Sequence, residues 1–127
     1  MATNYVQDGS VITFANTGSA ISAGDVVVIG ANGDALVGIA QVDIAATSGT
    51  GTVMLHGVFE VAKVDAAVIT QGETLTWDSS VSMVDDTLAT PAAGDVTGPA
   101  LVAYESKGVT AGKTIKVLFT GIPGTLA

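Results

Sequence analysis

The stretch of this sequence that most resembles a chemical motif is Gly108-Val-Thr-Ala-Gly112-Lys113-Thr114. A phosphate-binding loop needs four residues between its glycines and a Lys after the second. It also needs a helix opening behind it, so that backbone N–H groups surround the phosphates. Here three residues separate the glycines, and Lys107 stands where the first Gly belongs. The residues that follow, Ile115-Lys116-Val117-Leu118-Phe119, read as a strand. Both departures argue for a β-turn rather than a nucleotide site, and no cofactor is assigned.

His56 is the only His and there is no Cys, so no zinc site with the usual ligand set can be assembled. A catalytic His needs a positioned carboxylate and a nucleophile, and no spacing pairs one with His56; a structural or interface role is expected. Asp85-Asp86 is the only adjacent acidic pair. It opens a long loop without calcium-loop spacing, so these are read as solvated loop acids. Asp25, Asp34, Glu73, Asp78 and Asp95 sit in turn-like contexts, where acids are ordinary. Trp77, Phe14, Phe59, Tyr104 and Phe119 occur singly within apolar runs and are expected to pack in the core. No catalytic residue and no metal ligand is assigned, and the chain is not expected to be an enzyme.

The composition excludes several classes of function. Of 127 residues, 48% are hydrophobic and 13% charged, well below the ~25% charged residues of an average soluble domain. Disorder of the bulk is therefore excluded, and one domain spanning 1–127 is expected. Twelve carboxylates face four Lys and no Arg, a net charge of −8. Such a chain repels phosphate, so neither nucleic acid nor an anionic membrane surface is an expected partner. The opening Met1-Ala-Thr-Asn-Tyr5-Val-Gln-Asp8 shows neither a basic nor an apolar leader segment, which points to synthesis in a cytoplasm.

Sixteen Gly punctuate the chain, roughly every 8–12 residues, the spacing of short strands joined by tight turns. No segment sustains a helical apolar period. The pattern predicts strands over 11–15, 25–29, 35–42, 52–55, 58–61, 74–77, 81–84, 100–104 and 114–120. The run at 26–29 suits burial on both faces. Asn32-Gly33 and Asp78-Ser79-Ser80 read as hairpin turns, and His56-Gly57 as a bend or bulge. Residues 85–97 read as a surface loop, and Ile122-Pro123-Gly124 as the end of strand pairing. The predicted fold is mainly β: a compact β-barrel or β-sandwich of short antiparallel strands with little helix.

An internal echo accompanies this pattern. Ile21-Ser22-Ala23-Gly24-Asp25-Val26-Val27 resembles Ile69-Thr70-Gln71-Gly72-Glu73-Thr74-Leu75, and both resemble Val109-Thr110-Ala111-Gly112-Lys113-Thr114-Ile115. The shared form is a Gly turn followed by a strand that begins with a charge. It predicts two similar halves, the second lengthened by residues 85–97.

Taken whole, the sequence resembles a family of small tailed-phage proteins encoded near major capsid genes, often labelled RecA/RadA-like phage recombinases. The matching pieces are Met1-Ala-Thr-Asn-Tyr5-Val-Gln-Asp8-Gly9, Ser22-Ala-Gly24-Asp25-Val-Val-Val28, Gly57-Val-Phe59-Glu-Val-Ala-Lys63, and Ile69-Thr-Gln71-Gly72 leading to Trp77-Asp78. The resemblance implies a β-rich capsid decoration, or cement, protein on the outer surface of the virion, with the major capsid protein as partner. The residues do not support the recombinase label, because the phosphate loop is not intact and the chain is acidic. A DNA-recombination ATPase and a surface carbohydrate-binding β module are the alternatives. An extended arm over about residues 1–8 is expected to reach the capsid through Thr3, Asn4, Tyr5, Val6 and Gln7, adding as a strand; the alternative is a terminal strand of the protein's own barrel. A homotrimer at a three-fold position is the expected assembly, with a dimer at two-folds as runner-up.

Overall fold

The computed structural model describes residues 9–109 and 114–127. Eleven strands are present among them: β1 (Val11–Ala15), β2 (Val26–Ala31), β3 (Asp34–Ala40), β4 (Thr50–Met54), β5 (His56–Ala62), β6 (Thr76–Asp78), β7 (Met83–Asp85), β8 (Val96–Thr97), β9 (Leu101–Ala103), β10 (Thr114–Thr120) and β11 (Gly124–Leu126). There is no helix among the described residues. One sheet has the order β1-β4-β3-β11-β8-β6-β7, with β2 also on β3; the other is β5-β10-β9. All the paired strands are antiparallel. Single bridges, Thr74 to Val102 and Lys63 to Val84, link the two sheets. The arrangement is therefore sandwich-like rather than one continuous barrel ladder.

The local chemistry explains the turns. Asn32 and Gly33 both have positive φ, 58° and 87°, the geometry that a two-residue hairpin requires. They set the β2–β3 register, in which Ala31 faces Asp34 and Val26 faces Ile39. β3 is the strand buried on both faces. Ala35, Val37 and Ile39 enter the main core, while Ala40 belongs to a second cluster with Val27, Val53 and Leu55. Gly38 lies between Val37 and Ile39, and a Cβ there would come within 2.5 Å of Val53 Cγ1 and 2.7 Å of the Met54 carbonyl. The 26–29 run instead forms an edge strand in which only Val27 is fully buried. The main core gathers β3, β5, β9 and β10 around Phe119, whose ring meets Phe59 edge-on at 5.3 Å.

Two expectations are corrected. Pairing does not stop at Ile122-Pro123-Gly124: β11 begins at Gly124 and inserts between β3 and β8. Residues 85–97 are not simply a surface loop, because they end in β8, where Val96 is buried, with buried Asp95 just before it. Pro123 and Gly94 signal breaks locally, but partners distant in the chain supply the missing hydrogen bonds.

The expected duplication is present in the topology. In the first copy the order is β1-β4-β3-β2. In the second it is β5-β10-β9 followed by residues 73–75, which bond to β9 through Thr74–Val102 and Leu75 N–H to Leu101 O. The registers correspond: Asp25 meets Ala40 and Ile21 meets Ile44 in the first copy, while Glu73 meets Ala103 and Ile69 meets Lys107 in the second. β6, β7 and β8 belong to an excursion within the second copy.

Candidate functional site

The repeated Gly–acid turn is a four-bond clip. In its first copy the Gly24 N–H donates to Ala40 O (2.8 Å) and the Ala40 N–H to Asp25 O (3.0 Å). The Asp25 N–H donates to Ser22 O (3.0 Å), and the Ser22 N–H returns to Asp25 Oδ2 (3.0 Å). The second copy repeats this with Gly72, Glu73, Ala103 and Thr70. Flanking bonds correspond as well, Ala23 N–H to Asp43 Oδ1 (2.8 Å) and Gln71 N–H to Ser106 Oγ (2.9 Å). A third clip follows the same plan with Gly94, Asp95, Ala127 and Ala92. The three glycines have φ of 91°, 92° and 92°, a region that costs a side chain strain.

The third clip was not legible because Ala92 replaces the Ser or Thr of the others; the surviving signal is Gly94-Asp95-Val96 against Gly24-Asp25-Val26. The 109–115 copy expected from sequence has residues 110–113 outside the described residues. Asp95 differs from the other two acids in being buried. Its carboxylate accepts the Ala92 N–H (2.9 Å), the Ser79 N–H (3.0 Å) and the Ser79 hydroxyl (3.1 Å). Burial pushes its pKa up, but these hydrogen bonds outweigh that and hold the carboxyl below its ordinary value.

The remaining candidates scatter. His56 is exposed at the start of β5, opposite Thr120. Asp85 Oδ1 accepts the Asp86 N–H and Asp86 Oδ1 accepts the Leu88 N–H, so both acids shape the loop. Among the described residues no three His, Cys, Asp or Glu gather into a metal-binding group. Lys107 and Gly108 precede β10, so a strand follows where a phosphate loop would place a helix. Lys113, Thr3, Asn4, Tyr5, Val6 and Gln7 lie outside the described residues. Trp77 and Phe119 are buried and Phe14 and Phe59 half-buried, whereas Tyr104 is 50% exposed, contrary to its expected core position. Its run ends at the β9 edge, where the side chain leaves the packed face.

One concavity of about 370 Å³ lies between the two copies. Its walls are Gly24, Asp25 and Val26 at the start of β2, and Glu60, Val61 and Ala62 at the end of β5, with Trp77 and Ser82 completing it. Sequence reading could not find it, because its two facing walls lie 34 or more residues apart in the chain.

The sequence matches the family model described as phage cement protein over residues 6–119, which takes in both copies of the repeat. No curated protein matches the chain.

Proposed function

The chain belongs to the phage cement protein family, and from that premise we propose that it binds the outer surface of the capsid and holds neighbouring subunits of the shell together. The family places it among structural, capsid-associated proteins of phages. The match across residues 6–119 is the observation that carries this reading. The fold is compatible with such a task. Three clips lock strand ends to distant strands, and such a body keeps its shape under load without needing a reactive centre.

The major capsid protein is the proposed partner. Thr3, Asn4, Tyr5, Val6 and Gln7 are proposed to add as a strand to a capsid edge, with backbone hydrogen bonds supplying affinity. Assembly as a homotrimer on three-fold or quasi-three-fold positions follows from multivalency, since several simultaneous contacts raise avidity by about 10²–10⁴. A dimer at two-folds is the runner-up. Purified protein mixed with undecorated capsids should co-sediment. Deleting residues 2–7 should leave a folded protein that binds far more weakly. Full binding by that truncation removes the arm from the proposal, and failure of the whole chain to sediment refutes capsid binding itself.

A further inference from the structure

The cleft between the two copies has open strand edges for walls. Among the described residues β2 hydrogen-bonds as a strand only to β3, and β5 only to β10. β5 contributes the consecutive Glu60, Val61 and Ala62, and the facing wall is Val26, the first residue of β2, with Gly24 and Asp25 of the turn before it. Side chains alternate along a strand, so three in a row on β5 means that its backbone forms part of the wall.

The ladder fixes which backbone groups face it. The Tyr104 N–H donates to Lys116 O and the Thr120 N–H to Ala100 O, so even-numbered residues of β10 bond toward β9. Odd-numbered ones therefore bond toward β5, where Ile115, Val117 and Phe119 face Val61, Phe59 and Gly57. Val58 and Glu60 consequently turn their N–H and C=O groups to the open edge. The Val64 N–H, in the same phase, already bonds outward to Val84 O at 2.9 Å. On β2 the two-residue turn makes Ala31–Asp34 the closing hydrogen-bonded pair, which turns Val26 and Val28 outward.

The charge of the cleft selects its occupant. Asp25 and Glu60 are the charged residues of the lining, and none of it is basic. Lys116 faces Glu60 across the ladder but is not part of the lining. The volume is within the range of a site that holds a few residues or a small ligand.

We propose that this cleft takes an extended segment of a capsid subunit as an added strand, with a Lys or Arg of that segment set between Asp25 and Glu60. The identity of the partner rests on the capsid-binding reading above; the open edges and the acidic lining are independent of it. Strand addition supplies affinity through main-chain bonds and specificity through the side chains that flank them.

The test is co-sedimentation with undecorated capsids, using wild type, Glu60→Pro, Glu60→Lys and a photo-cross-linking residue at Ser82. Proline at Glu60 removes an outward N–H that β10 does not use, so the fold should survive, as judged by Trp77 emission and melting. Glu60→Pro should bind at least about ten-fold more weakly, the loss expected from one or two main-chain bonds. Glu60→Lys should also bind more weakly, with the deficit shrinking as salt is raised. The cross-link should map to a basic segment of the capsid protein. If Glu60→Pro fails to fold, Glu60→Lys and the cross-link decide. Wild-type binding by both variants, or a cross-link to a second copy of this chain, overturns the cleft proposal while capsid binding stands. Failure of the wild type to sediment overturns both.

Discussion

Asn16 and Lys63 occupy the same place in the two copies of the repeated unit. Each follows the unit's first strand, each is buried, at 5% and 1% exposure, and each side chain donates to a backbone carbonyl of the loop that follows, Asn16 also to one in the β3–β4 loop. Asn16 Nδ2 reaches Ser19 O (2.7 Å) and Ala45 O (3.2 Å). Lys63 Nζ reaches Val64 O (2.7 Å), Ala67 O (2.8 Å) and Asp65 O (3.4 Å). Two different side chains thus do one job, donating to loop carbonyls where the chain leaves the unit's first strand.

Val64 O keeps the Ala67 N–H and Ala45 O keeps the Gly49 N–H. Removing Lys63, however, takes the donor from the carbonyl of buried Ala67, and removing Asn16 takes the donor from Ser19 O and the acceptor from the Gly18 N–H. A buried polar group left unpaired costs more than an ordinary hydrogen bond is worth. Lys63→Met should cost about 2–4 kcal/mol and Asn16→Ala about 1–3 kcal/mol in denaturant unfolding. A Lys63→Met protein as stable as wild type would show that the carbonyls find water instead.

The clip glycines separate conformational strain from crowding. A Cβ at Gly24 or Gly72 would meet nothing within 4 Å, yet φ is 91° and 92°. Gly24→Ala and Gly72→Ala should therefore cost similar amounts, about 1–2 kcal/mol each, purely from backbone conformation. Gly38→Ala meets the Val53 side chain and the Met54 carbonyl, and should cost more, about 2–4 kcal/mol. Thermal melts of the three variants check this order. Unequal losses at Gly24 and Gly72 would argue that the two clips are not equivalent.

Acid should act through Asp95. Its carboxyl is held below its ordinary value in the fold, so the ionised form contributes stability that is complete above the unfolded value, about 4. That contribution disappears as pH falls through the depressed folded value. Asp95→Asn should cost about 1–3 kcal/mol at pH 7, because one amide cannot accept from both Ser79 and Ala92. It should also show a shallower loss of stability than wild type below about pH 4. Denaturant titrations across that range decide, and parallel pH profiles would contradict the role given to Asp95.

Much of the fold was legible where a segment carries its own signal. Val11–Ala15 and Thr114–Thr120 appear with the predicted bounds, because turn residues or alternating side chains mark them. Asn32-Gly33 forms the predicted hairpin for a local conformational reason. The two-residue β8 and three-residue β11 were not legible, since their pairing depends on each other and on β3. Asp95 looked like the other turn acids in sequence; only the packing of Ser79 against it makes it a buried anchor. The duplication was visible in the Gly–acid turns, but the equivalence of Asn16 and Lys63 was hidden by their different chemistry. The cleft was invisible because it belongs to neither copy alone.

A cryo-electron reconstruction of capsids with and without the bound protein decides whether it cements the shell from outside. Added density is expected on the outer surface, three copies around three-fold or quasi-three-fold positions, each touching more than one capsid subunit. Density inside the shell, or isolated monomers each on a single capsid subunit away from any symmetry axis, would contradict it.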